Sequence, residues 1–195
     1  MEKSDSELNI IPTVLVPLAQ GCEELEAITV TDLLTRAGIH VVTAGLDEKV
    51  VIASRGMKLV PDKELNEVLS DDFDMIVLPG GLPGADHLNN DQRIQTIVKR
   101  LATNNKYTAA ICAAPRVLAT AGLLDGKQAT SFPGALDNFP VNNMTYEEKA
   151  VVVDGKVITS RGPGTAMDFS LTLIELLAGK EKRDEVEAAL QRVKA

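Results

Sequence analysis

The chain of 195 residues is poor in several residue types, and each shortage excludes a class of protein. It has no tryptophan and only 3% aromatic residues, so aliphatic side chains must fill its core. That composition suits a parallel sheet covered by helices. Two cysteines, Cys22 and Cys112, are too few for a disulfide framework. We therefore expect two free thiols in a reducing compartment, the cytoplasm.

Basic clusters, membrane spans and signal segments are also missing. Lysine and arginine number 20 against 28 acidic residues, and the net charge of −8 argues against nucleic acid or an anionic membrane as a partner. No apolar run approaches the length of a membrane span, and MEKSDSELNI at the start lacks the apolar stretch of a signal peptide. We predict a soluble protein with a flexible tail over residues 1–10 and a single domain over residues 11–195.

Apolar runs of strand length alternate with helical patterns along the chain. The predicted strands cover residues 13–19, 39–46, 73–81 and 107–112, with a small antiparallel pair within 51–61 and a hairpin over 149–160. The first predicted helix lies within residues 20–38 and ends at Gly38. Further helices are predicted over residues 64–70, 91–104, 115–124 and 165–179, with one more in the charged tail. Asp154-Gly155 favours a type I′ turn in the hairpin. This alternation is typical of an α/β sandwich with a mostly parallel sheet.

Three loops are expected to meet at the carboxyl edge of this sheet, where ligands of such folds collect. They are QGCEELE at 20–26, PGGLPGAD at 79–86 and CAAP at 112–115. Pro115 suits the first turn of a helix, so Cys112 lies at or just before a helix N-terminus that favours a thiolate. A buried structural cysteine is the alternative, and these residues alone leave both open.

The acidic run of the first loop has two interpretations. Glu23 and Glu26 share a helix face, and acids in a first turn commonly serve only as partners of the helix dipole. An ionised carboxylate beside Cys112 would raise the pKa of the thiol, so a glutamate that assists it must be protonated. Cys22 at the same edge is either a small residue in a tight turn or a second oxidisable thiol.

Four motifs together resemble one known family. LPGG at 78–81, AICAAP at 110–115, ITSRGPGTAMDF at 158–169 and GCEELEA at 21–27 are similar to motifs of the ThiJ/PfpI superfamily. Within it they resemble the parkinsonism-associated deglycase branch, which is glyoxalase III-like. The resemblance implies a flavodoxin-like three-layer sandwich, a homodimer and no cofactor.

The resemblance also implies roles for particular residues. Cys112 takes the place of the reactive cysteine and Glu26 that of its protonated partner. The backbone at Gly80, Gly81 and Ala113 matches an oxyanion-like pocket. Further positions match arginines of the dimer seam and pocket, and the segment that buttresses the site; they are Arg55, Arg36, Arg161 and Pro163.

Two positions depart from the family pattern. Ala113 stands where peptidase-like members have a histidine, which disfavours protease activity. Phe132 stands where the deglycase branch often has a histidine, so an obvious proton shuttle is missing. His40, within a strand pattern, and His87, after the glycine loop, are poor replacements. Neither a zinc-type spacing nor a Walker or dinucleotide fingerprint is present.

The implied function is the cysteine-dependent conversion of small reactive dicarbonyls, methylglyoxal and glyoxal, to hydroxy acids, or the repair of early glycation adducts on proteins. The alternative is a redox-sensing stress protein or chaperone whose Cys112 oxidises to a sulfinate. An amidase or peptidase is a weaker alternative, because Ala113 follows the cysteine.

Overall fold

The structure is a computed structural model that describes residues 10–47 and 49–193. Residues 1–9 of the predicted tail lie outside this range. The strands within it are β1 Thr13–Leu18, β2 His40–Gly45, β3 Val51–Ile52, β4 Lys58–Leu59, β5 Lys63–Glu64, β6 Met75–Leu78, β7 Tyr107–Ile111, β8 Gln128–Ala129, β9 Thr145–Tyr146, β10 Val151–Asp154 and β11 Val157–Ser160. The α-helices are α1 Glu24–Arg36, α2 Gly84–Asn90, α3 Gln92–Thr103, α4 Pro115–Thr120 and α5 Ala166–Ala189.

The central sheet of the described chain has the strand order β10-β11-β7-β6-β1-β2-β5. Every neighbouring pair in it is parallel except β10 with β11. This confirms the predicted α/β fold with a mostly parallel sheet. From β1 the chain continues to β2 on one side and later to β6 on the other, so a crevice opens at the carboxyl ends of β1 and β6.

Helices cover both faces of the sheet, because the strands are apolar on both faces. Along β1, Val14, Val16 and Leu18 pack with α1 and α5 in one cluster of buried side chains. Leu15 points the other way and packs with α3 and α4 in the second cluster. The alternation along one strand is what a sheet buried between two helical layers requires.

Several local predictions hold, and three need correction. Gly179, with φ of 86°, interrupts α5 where the sequence predicts one helix to end and another to begin. The predicted helix over residues 64–70 is wrong, because β5 leads there into a single 3₁₀ turn. The helix α2 was not predicted. The hairpin forms, but its two loop residues are Gly155 and Lys156, and of these only Gly155 has a positive φ, as in a type II′ turn.

Candidate active site

Cys112 occupies a sharp bend between β7 and α4. Its φ is 63°, a left-handed conformation that costs a residue with a side chain about 1–3 kcal/mol. Two backbone hydrogen bonds hold it there: its N–H donates to Ser160 O at 3.0 Å, and its carbonyl accepts from Phe132 N at 2.8 Å. Pro115 opens α4 as predicted. The bend therefore aims the Cys112 side chain away from the strand and toward the crevice.

Glu26 lies on α1 and is fully buried beside this bend. Its Oε2 accepts a hydrogen bond from Gly80 N at 2.8 Å, while Oε1 accepts none from the described residues. Burial, with a smaller contribution from the charge of Glu23, raises the pKa of Glu26 to about 7. A buried oxygen without a donor makes the ionised form costly, so the carboxyl keeps its proton well above the usual range.

The thiol of Cys112 and the carboxyl of Glu26 are close enough to shift each other's pKa. Burial and the charge of an ionised Glu26 raise the pKa of Cys112 to about 12, against hydrogen bonds from the amides of Gly81 and Ala113 that lower it. A protonated Glu26 removes that charge and has a proton to donate to sulfur. The two groups therefore titrate as a pair, and the first proton that leaves is shared between them.

Gly80 is glycine because nothing larger fits between these two groups. A Cβ there would lie 2.7 Å from the Cys112 Cβ, 2.8 Å from the Glu26 Oε2 and 2.9 Å from the carbonyl oxygen of Ile111. Its neighbour Gly81 has φ of 86° and directs its amide toward the sulfur. The predicted strand break at these glycines thus brings β6 into contact with the thiol and the acid.

The other two acids of the run support the site structurally. Glu23 caps α1, because its Oε2 accepts a hydrogen bond from Glu26 N at 2.8 Å. Glu24, also buried, accepts from Arg55 N at 2.8 Å and from Ser54 Oγ at 3.0 Å. Glu24 therefore holds the loop between β3 and β4 against α1, which is more than the dipole role that its position in the sequence indicates.

A pocket of about 450 Å³ opens beside Cys112. Phe132 and Pro163 line it as apolar groups, and Phe132, which stands where the resemblance implies a histidine, is half-exposed. Arg55 lines it from the loop that Glu24 holds. The pocket is therefore apolar around the thiol and carries charge at its margins.

Arg116 is a pocket residue that the sequence interpretation missed. It directly follows Pro115, in the first turn of α4, and its Nε donates to the Ala113 carbonyl at 2.9 Å. It also forms an ion pair with Asp86 of α2. A cation in the first turn of a helix opposes the helix dipole, and that mismatch was the available signal.

Two residues implied by the resemblance, Arg36 and Arg161, and also Cys22 lie away from the pocket lining. Arg36 at the end of α1 pairs with Asp32 at 3.0 Å, and half of its side chain is exposed. Arg161 borders a neighbouring pocket of about 380 Å³. Cys22 is fully buried, and burial, with the charges of Glu24 and Glu23, raises its pKa to about 12.

The two histidines also stay out of the pocket. His40 is an exposed residue at the start of β2. The Nδ1 of His87 lies 3.0 Å from Gln20 O and borders a different pocket. Among the described side chains, no group of three histidines, cysteines or acids is arranged to hold a metal ion.

Fold and site together define a flavodoxin-like α/β protein with a thiol and a buried carboxyl at the carboxyl edge of its sheet. The chain belongs to the DJ-1/PfpI family, whose model matches residues 12–176. No helix in the described part of the chain is long and apolar enough to cross a membrane.

Three relatives illustrate the similarity. The crystal structure of Drosophila melanogaster DJ-1beta superposes with a TM-score of 0.88 at 43% identity, over 95% of this chain and 100% of that one. Protein DJ-1 homolog A of Arabidopsis thaliana is 45% identical over 91% of this chain, which spans 46% of that relative's length. A Caenorhabditis elegans relative, 35% identical over 89% of this chain and 91% of its own length, is named glutathione-independent glyoxalase DJR-1.2.

Proposed function

We propose that this protein converts small reactive dicarbonyls such as methylglyoxal and glyoxal to hydroxy acids, with Cys112 as nucleophile and without a cofactor. The observation that carries the proposal is the Cys112–Glu26 pair, in which a buried carboxyl with a pKa near 7 adjoins a thiol at the mouth of a pocket. The glyoxalase name of the C. elegans relative agrees with this chemistry.

The reaction begins when the Cys112 thiolate adds to the aldehyde carbon of methylglyoxal. The C–S bond forms as the carbonyl π pair moves to oxygen, and the amides of Gly81 and Ala113 stabilise that oxyanion. Glu26 then gives its proton to the oxyanion, which leaves a hemithioacetal and an ionised Glu26.

Glu26 next acts as the base. It takes the proton from the former aldehyde carbon, and the resulting enediolate is protonated at the neighbouring carbon, so the adduct becomes a thioester of lactate. Water cleaves the thioester and restores the thiol. The net reaction adds one water to methylglyoxal and yields lactic acid, so it needs neither oxidant nor reductant. A pKa near 7 suits a group that both gives and takes a proton at neutral pH.

The test is conversion of methylglyoxal to lactate without glutathione, measured for the wild type, Cys112→Ser, Glu26→Gln and Cys22→Ser. We expect Cys112→Ser to abolish turnover and Glu26→Gln to lower kcat at least about 100-fold, the usual contribution of a general acid–base group. Cys22→Ser should retain activity, because Cys22 does not line the pocket. Turnover by Cys112→Ser equal to that of the wild type would reject the proposal.

The second candidate is a redox-responsive stress protein or chaperone, and Phe132 favours it. A phenyl group at the pocket cannot transfer protons, so turnover depends on Glu26 alone. In this alternative Cys112 oxidises to a sulfinate, to which a protonated Glu26 donates a hydrogen bond. Mass spectrometry after mild peroxide treatment tests it: Cys112 should gain two oxygens while Cys22 remains a thiol.

Repair of early glycation adducts on protein amines or thiols is a variant of the same chemistry, since the thiolate would attack the same kind of carbonyl. Amide or peptide hydrolysis is the weaker alternative, because Ala113 supplies no imidazole after the nucleophile. Release of lactate from methylglyoxal-treated peptide, compared between wild type and Cys112→Ser, tests the repair variant.

We also propose that the protein is a cytoplasmic homodimer. Large apolar side chains are exposed on α1 and on the neighbouring β3–β4 hairpin: Leu25 50%, Ile28 41%, Ile52 52% and Met57 50%. A second copy of the same face would cover them. Ile28→Asp should then shift the sedimentation coefficient to that of a monomer, whereas Val153→Asp, on the edge strand β10, should leave it unchanged.

A further inference from the structure

Two arginines line the pocket beside Cys112, and the proposed reaction uses neither of them. Arg55 lies on an exposed loop, and its side chain forms no ion pair with the rest of the described chain. Arg116 is much more enclosed, with 13% of its side chain exposed. Glu23, the acid among the lining residues, uses a carboxylate oxygen to cap α1. The pocket therefore holds two guanidinium groups that the carbonyl chemistry leaves unused.

Arg116 is held rigidly by three contacts. Its Nε donates to the Ala113 carbonyl, its Nη1 pairs with Asp86, and its guanidinium lies 5.3 Å from the centre of the Phe139 ring. Within the described part of the chain its Nη2 makes no hydrogen bond. Asp86 does not line the pocket, so it orients the guanidinium from behind. The result is a pre-organised donor with N–H groups left for a ligand.

Ala113 sets the separation between this donor and the sulfur. Its amide N–H faces Cys112, and its carbonyl binds Arg116. One residue therefore lies between the two groups, and both line the same pocket. A ligand joined to the sulfur at its reacting end meets Arg116 with another part of its chain.

We propose that Arg116 forms an anion subsite and that the preferred substrates are 2-oxoaldehydes carrying a terminal carboxylate. The dicarbonyl end would react at Cys112 while the carboxylate accepts charge-assisted hydrogen bonds from Arg116. Arg55 adds a second, more exposed positive charge. The inference rests on the proposed function and specifies its substrate class, since a neutral dicarbonyl leaves the subsite unused.

The first test compares two substrates of equal chain length, 4,5-dioxopentanoate and the neutral 2-oxopentanal. The measured quantity is the ratio of their kcat/KM values. We expect the ratio to favour the carboxylate and to fall roughly tenfold in Arg116→Gln, the effect of one charge-assisted hydrogen bond. Arg116→Lys should restore part of it. Arg183→Gln, the same change on α5 outside the pocket, should leave it unchanged. Equal ratios in wild type and Arg116→Gln would overturn the subsite.

A second test does not depend on turnover. Iodoacetate and iodoacetamide both alkylate a thiolate by displacing iodide, but only iodoacetate is an anion. Their rate ratio at Cys112, read by mass spectrometry of the peptide, should fall several-fold in Arg116→Gln and not in Arg183→Gln. If this ratio depends on Arg116 while neither oxoaldehyde reacts, the subsite stands and the proposed function fails. If the oxoaldehydes react, but Arg116→Gln changes neither their kcat/KM ratio nor the alkylation-rate ratio, the subsite is rejected and the proposed function stands.

Discussion

Glu26→Gln should change how the stability of the protein depends on pH. Glu26 is fully buried, and burial raises its pKa from 4.5 to about 7. In the unfolded chain the same carboxyl ionises near 4.5. Between these two values the folded state binds one proton more than the unfolded state, so the free energy of unfolding must fall as the pH rises. A glutamine at this position does not ionise and removes that dependence.

The size of the effect follows from the shift. One pKa unit corresponds to about 1.4 kcal/mol, so a rise from 4.5 to about 7 lowers the stability of the folded state by about 3 kcal/mol across that range. The stabilising protonated state is fully present below pH 4.5 and is lost as the pH passes through 7. Above pH 7 the difference between wild type and Glu26→Gln should stay constant until the thiol of the unfolded chain ionises.

The assay is urea unfolding followed by far-ultraviolet circular dichroism, since the chain has no tryptophan to report by fluorescence. Wild type and Glu26→Gln are compared between pH 4.5 and 7.5 under reducing conditions. Glu24→Gln is the matched control, two residues away on the same helix. Burial opposes ionisation of Glu24, but hydrogen bonds from its own backbone, Ser54 and Arg55 outweigh it and lower its pKa. The contribution of Glu24 should therefore stay constant across this range and be lost only below pH 4.5, with a sign opposite to that of Glu26.

Parallel stability curves for wild type and Glu26→Gln would refute the reasoning. They would mean that Glu26 ionises normally inside the fold, and the proton shared with Cys112 would then not exist at neutral pH. Cys112→Ser separates the effect of burial on the pKa of Glu26 from the effect of the neighbouring thiol. Burial is the largest cause, so the pH dependence should persist in that variant.

Three further predictions concern the same cluster. Gly80→Ala should destabilise the protein by about 1–3 kcal/mol, measured by urea unfolding, because its Cβ would overlap atoms of Cys112 and Glu26. Native protein at pH 8 should take up one iodoacetamide, at Cys112, and a second only in denaturant, since Cys22 is fully buried; two in the native state would contradict this. Phe132→His should raise methylglyoxal turnover at least about tenfold at pH 7 if an imidazole there relays protons, and an unchanged rate would show that Glu26 suffices.

The strand–helix alternation predicted the fold because the central buried strands are short apolar runs separated by helical patterns. β6 ends before Gly80, and β7 ends directly before the bend at Cys112. The short α2 escaped prediction because its sequence, GADHLNN, carries few apolar residues at helical spacing. It is held instead by its neighbours α3 and α4, and its Ala85 and Leu88 are fully buried. Short elements of this kind depend on tertiary packing more than on local pattern.

Helix α1 shows where periodicity misleads. Leu25 and Ile28 are apolar at helical spacing, which predicts that they face the core, yet both are exposed. The face turned inward carries Glu24 and Glu26 in its first turn, ahead of the buried Ala27, Val30, Leu33 and Leu34. Burial of a carboxyl is unfavourable in isolation, so no rule of local pattern anticipates it. It becomes acceptable only because the Gly80 amide and a retained proton satisfy Glu26, and three donors satisfy Glu24.

Three residues around the pocket occupy positions that are unfavourable for their residue type. Cys112 adopts a conformation suited to glycine, Glu26 is an acid without exposure, and Arg116 is a cation at the positive end of a helix. Each costs folding free energy, and the surrounding backbone holds each of them in place. Cys112 and Arg116 line the same pocket, and Glu26 adjoins Cys112. Strain and buried charge concentrated at one cleft agree with the proposed functional role of this pocket.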